Sequence, residues 1–90
     1  MDNLSQIIES FVGLGKPWTF YEFVMNNFHL SEREKDVFLK VYKEASAFEL
    51  WNFSDLSEGA KNSNLYLKKN TQLSDEAIKR IVNAIAYEWK

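Results

Sequence analysis

Ninety residues suffice for one hydrophobic core and are too few for two. With no cysteine and a single histidine, the chain has neither a disulfide framework nor a thiolate metal site. A formal charge of −2 is not the dense basic footprint of a general nucleic-acid binder. No apolar run approaches the ~20 residues that a membrane span requires, and the start Met1-Asp2-Asn3 lacks the basic-then-apolar pattern of a secretory signal. The expectation is a complete single-domain chain, residues 1–90, in a reducing cytoplasm and away from membranes.

Leu4, Ile7, Ile8, Phe11 and Val12 recur at i, i+3, i+4, i+7 and i+8, which predicts a helix over 3–13 ended by Gly13 and Gly15. Thr19-Phe20-Tyr21-Glu22 has the spacing of a capping box and opens a short helix over 19–27. Trp18 and Phe23 are placed as its hydrophobic staple, and Phe20, Phe23 and Val24 point inward. Ser31-Glu32-Arg33-Glu34 is a second capping box, opening the longest helix, over 32–50. Val37, Phe38, Val41, Tyr42, Ala45 and Phe48 line one of its faces. At Leu50-Trp51-Asn52-Phe53 the apolar residues stop keeping to one face, so the helix is expected to end or bend there.

Residues 52–64 are rich in Ser, Asn and Gly. Leu56, Ala60 and Leu67 predict a helix over 55–68 capped by Ser54, whereas Gly59 and Asn62-Ser63-Asn64 argue for a loop. The last helix, 75–89, is the best defined. Ser74 caps it, Asp75 and Glu76 suit the positive end of its dipole, and Leu73 with Ile78 forms a staple. Ile78, Ile81, Val82, Ile85 and Trp89 make its buried stripe. No segment alternates as a half-buried strand does. The fold class expected is all-α, a compact bundle of four to five short helices. Its core is assigned to Leu4, Ile8, Phe11, Phe23, Val37, Phe38, Val41, Ile78, Ile81, Val82 and Ile85.

The run Leu30-Ser31-Glu32-Arg33-Glu34-Lys35-Asp36-Val37-Phe38 resembles the opening of the LuxR-type helix-turn-helix and is similar to the middle of the Hha/YmoA nucleoid modulators. It covers nine residues, and the downstream scaffold and recognition helices of the LuxR type do not follow. No functional residue is carried over.

Nothing in the sequence assembles a catalytic, cofactor or metal site. His29 sits in a turn without a nucleophile or orienting carboxylate placed beside it. Glu32, Glu34 and Asp36 fan around a helix, and Gly13-Leu14-Gly15-Lys16 follows a helix where a phosphate loop would follow a strand. Seven Phe, four Tyr and three Trp exceed what one small core is expected to hide. The expectation is therefore a non-enzymatic protein-protein interaction module of the inhibitor, immunity or accessory-regulator type. Its partner would be another protein or a second copy, met through exposed aromatics at Trp51, Phe53 and Tyr87. The alternative is a helix-turn-helix-like DNA-binding regulator. Residues 1–58 carry five basic and ten acidic side chains, residues 59–90 six and three. The basic tail would offer Lys68, Lys69, Lys79 and Arg80 to nucleic acid. Asp75 and Glu76 at the start of the last helix would face phosphates and speak against it.

Overall fold

A computed structural model describes residues 2–11, 16–51 and 56–88, and among these residues every regular element is helical. In chain order they are α1 (Asp2–Glu9), a 3-10 turn (Pro17–Thr19), α2 (Phe20–Met25), α3 (Glu32–Ala45), α4 (Phe48–Trp51), α5 (Leu56–Asn70) and α6 (Asp75–Glu88). The all-α expectation holds, with one more helix than the sequence pattern suggested.

The two capping-box sequences part company. At Ser31 the backbone is extended (φ −71°, ψ 163°), so its hydroxyl accepts from the Glu34 amide at 3.1 Å and Glu34 Oε1 accepts from the Ser31 amide at 2.9 Å. Thr19 instead closes the 3-10 turn in a helical conformation (φ −90°, ψ −7°), and its hydroxyl donates back to the Lys16 carbonyl at 2.8 Å. A residue already helical cannot turn its oxygen toward the next amides, so the Thr19 box does not form. Trp18 is accordingly no staple; its ring lies against Tyr87.

α1 stops at Glu9, before the glycines expected to end it. The Ser10 hydroxyl donates to the Ile7 carbonyl at 2.6 Å and turns the chain so that Phe11 still reaches the core. Gly13 and Gly15 lie outside the described residues. Two polar latches hold α1. Asn3 Nδ2 donates to Glu34 Oε2 at 3.1 Å, and buried Ser5 accepts from the Ser74 amide at 3.1 Å. Ser74 also caps α6, its Oγ accepting from the Ala77 amide at 3.1 Å while donating to Glu9.

The core is one cluster drawn from all six helices. Leu4, Ile8, Phe11, Phe38, Ile78, Ile81, Val82 and Ile85 are buried as expected. Phe23, Val37 and Val41 are half-buried at its edge, corrections to the expected core. On α2 the fully buried ring is Phe20, which meets Phe11 edge-on at 5.2 Å and Phe38 at 6.0 Å. Behind them the Tyr42 hydroxyl donates to Glu88 Oε2 at 2.8 Å. Burial, reinforced by that bond to a carboxylate, holds the phenol far above its usual range.

The single long helix expected over 32–50 is two. α3 ends at Ala45, the chain turns through Ser46 and Ala47, and α4 brings Trp51 back under it. The indole Nε1 donates to the Ala45 carbonyl at 2.8 Å, and the Ser63 hydroxyl donates to the same oxygen at 2.9 Å. Residues 56–70 are continuously helical, Gly59 included, because Gly59 lies beneath the Trp51 ring. A Cβ there would overlap Cε3 and stand 2.8 Å from Cδ2. Gly59 marks a close approach and not a loop.

Two outcomes follow for stability. In an open helix a glycine-to-alanine change gains about 1 kcal/mol. Here Gly59→Ala is expected to lose about 1–3 kcal/mol through overpacking, and in a Trp51→Ala background the same change should turn stabilising. Thermal melts of the four variants of this cycle measure both signs. The second concerns acid. The backbone bond from Ser31, then the amide of Asn3, hold the Glu34 carboxyl below its usual value. A depressed folded-state value stabilises above the unfolded value and is lost as pH falls through the folded one. The thermal midpoint should thus drop more steeply in wild type than in Glu34→Gln between about pH 5 and pH 3, because glutamine keeps the box and does not titrate.

Candidate functional site

Trp51, expected at an exposed surface, is a core residue. It is 3% exposed, seated on Gly59 and bonded to Ala45. The helical face does break down there, as the sequence pattern implies, and the break folds Trp51 inward. Phe53 and Trp89 lie outside the described residues. Tyr87, 38% exposed, is at the surface as expected, and a partner the sequence had assigned elsewhere joins it. Trp18 is 56% exposed, and its ring centroid lies 5.4 Å from that of Tyr87 at an angle of 39°. The 3-10 turn carries Trp18 to the last turns of α6, bringing together two aromatics 69 positions apart in the chain.

The basic residues of the C-terminal third divide. Arg80 turns inward with a side chain only 17% exposed. Its Nη1 donates to the Phe11 carbonyl and its Nη2 pairs with Glu76 at 3.4 Å. It fastens the end of α1 to α6 and is withdrawn as a nucleic-acid contact. Lys68 pairs with Asp75 at 3.6 Å across the link between α5 and α6. Lys69 and Lys79 face solvent. A phosphate-tracking face loses half of its four expected members, and exposed Asp75 and Glu76 occupy the first turn of α6.

Other apolar side chains are exposed as well. Phe28 stands out from the turn before α3, against the ring of His29 at 4.3 Å. Leu65 is 57% exposed on α5. Gly59, Ser63 and Leu67 form the buried i, i+4, i+8 line of that helix, and Leu65 lies about 200° from its two nearest members, so the periodicity could have found it. On α6 the residues Lys79, Asn83, Ala86 and Tyr87 follow one another at i, i+4, i+7 and i+8. They form the stripe opposite the buried one.

Among the described residues three titrating groups are shifted, and each shift has a contact between elements behind it. Glu34 and Tyr42 are described above. Tyr66 donates to Glu44, and that bond, with some burial, raises its phenol. Among the described residues no group of three or more His, Asp or Glu side chains gathers as metal ligands would. No helix there is long and apolar enough to cross a membrane. Comparison with known protein families, curated proteins and solved structures finds no match for the chain.

The role given to Arg80 is measurable. Arg80→Ala is expected to lower stability by about 1–3 kcal/mol, because the Phe11 carbonyl and Glu76 lose their donor. Lys69→Ala should leave it within about 0.5 kcal/mol. Denaturant titration of the two variants distinguishes a fastener from a surface cation.

Proposed function

We propose that this chain is a small non-enzymatic helical module that binds another protein, with Trp18 and Tyr87 at the centre of the contact. The observation that carries the reading is the exposed aromatic pair. Tryptophan and tyrosine are the residues most enriched where binding energy concentrates. In a chain that hides Phe11, Phe20, Phe38, Tyr42 and Trp51, two large rings packed together at the surface are an expense of apolar area that a contact would recover. The reading keeps the interaction class expected from composition and moves its centre from Trp51 to Trp18.

The pair bridges the 3-10 turn and the end of α6, so the contact surface is preformed, with little ordering left for binding to impose. Inhibitors, immunity factors and accessory regulators are the small-module roles such a surface suits. A second copy of the chain would use the same rings, with oligomeric state as its signature.

The test sets wild type beside a Trp18→Ala, Tyr87→Ala double variant. Sedimentation reads self-association, and affinity capture from the source cell followed by titration of the captured protein reads a foreign partner. The double variant is expected to retain its helix content and to bind roughly thirtyfold or more weaker. Equal binding by the two chains overturns the assignment of the pair. A wild type that is monomeric and captures nothing overturns the reading as a whole.

A further inference from the structure

α5 and α6 pack as an antiparallel pair joined by residues 71–74, and their solvent side forms an open groove enclosing about 460 Å³. Its floor is apolar and shallow, made by Ala60, Val82 and Ala86, and Leu65 stands exposed at one rim. Lys61 and Lys79 flank it from opposite helices, together with two asparagine amides, and among the described residues no carboxylate lines it. Among the described residues both lysines are without an ion-pair partner, whereas Lys68 and Arg80 on the same two helices are paired.

We propose that this groove binds an acidic amphipathic helix of a partner protein, its apolar side chains on Ala60, Val82 and Ala86 and its carboxylates against Lys61 and Lys79. The inference rests on the reading of the chain as an interaction module and names the partner's chemistry. Shape favours a helix. The lining runs from residue 60 to 65 on α5 and from 79 to 86 on α6, which spans about 8–10 Å, or two helical turns. The cleft between two packed helices offers ridges to a third, and the described residues contain no sheet edge to which an extended strand could add. With only methyl groups at Ala60 and Ala86, a partner's larger side chains can approach the helix backbones.

Charge favours an acidic one. Two cations flanking an apolar floor, with no acid among the described lining residues, are complementary to carboxylates beside an apolar stripe. A two-fold contact between copies through this groove would set the Lys61 and Lys79 pair of one against the same pair of the other, like charge on like. Tyr87 lies one turn beyond Asn83 on the same stripe of α6, so a helix seated in the groove would run on toward the aromatic pair.

The probe is a displayed library of roughly fifteen-residue amphipathic helices, apolar at i, i+4 and i+7, with Glu, Gln or Lys free at the flanking positions. It is selected against the full ninety-residue chain. Selected peptides are expected to favour glutamate, to shift the amide resonances of Ala60, Leu65, Val82 and Ala86, and to bind a Lys61→Glu, Lys79→Glu double variant about tenfold or more weaker. Both lysines are exposed, so this variant is expected to keep the parent fold, which its helix content checks. Peptides without a charge preference, resonance shifts elsewhere, no selected peptide, self-association through the groove, or duplex DNA preferred at the same amides would each overturn the proposal. Charge-indifferent peptides that map to Trp18 and Tyr87 overturn the groove alone and leave the interaction module standing. Acidic peptides that occupy the groove and are indifferent to Trp18→Ala, Tyr87→Ala overturn the aromatic site alone.

Discussion

The carbonyl of Ala45 is the point on which the second half of the fold turns. It lies where the backbone ladder of α3 is interrupted, and an interrupted helix leaves carbonyls whose desolvation must be met by other donors. Two buried side chains meet it: the indole of Trp51 and the hydroxyl of Ser63. One donor arrives from six residues downstream and the other from eighteen, so a single oxygen fixes α4 and α5 against the end of α3. Gly59 completes the junction by leaving the indole room to lie on the α5 backbone. With α5 so placed, the link 71–74 returns the chain as α6, whose Ile78, Ile81 and Ile85 fill the centre.

The aromatic residues do more of this internal work than their number suggested. Phe11, Phe20, Phe38 and Tyr42 interlock across three segments of chain, with Phe20 edge-on to two of its neighbours. Trp51 occupies the second half of the core. An aromatic core delivers much buried area per residue, which suits a ninety-residue chain without a disulfide to staple it. The aromatics that remain outside are therefore informative. Trp18 and Tyr87 meet at a tilt at one end of α6, and among the described aromatics only Phe28 projects further into solvent.

α6 is the element that joins stability to the proposed contacts. Its inward stripe anchors the core, Ser74 and Glu9 fix its start against α1, and Glu88 meets Tyr42 near its end. A helix held at both ends and along one side presents its opposite stripe rigidly. That stripe carries Lys79 and Ala86 into the groove with α5 and Tyr87 to Trp18. Arg80, between the two stripes, serves the fold by reaching back to the Phe11 carbonyl. The same count of positive charges that suggested nucleic acid is thus divided between fastening and display.

What the sequence by itself determined was local. The Ser31 box, the Ser74 cap, the inward faces of α1 and α6 and the absence of strands among the described residues depend on residues within one or two helical turns of each other, where spacing alone sets geometry. What the tertiary structure decided was every feature in which distant segments compete. Thr19-Phe20-Tyr21-Glu22 has the same spacing as the working box and fails, because the turn from Lys16 makes Thr19 helical before its oxygen can cap. Gly59 reads as a breaker until Trp51 is seen above it. Trp51 reads as a surface ring until the break after Ala45 folds it inward, and Trp18 reads as a staple until Tyr87 is brought beside it. In each case local preference is worth about 1 kcal/mol or less, whereas burying an aromatic ring or satisfying a buried carbonyl is worth more. Where the two disagree, the contact between distant segments prevails.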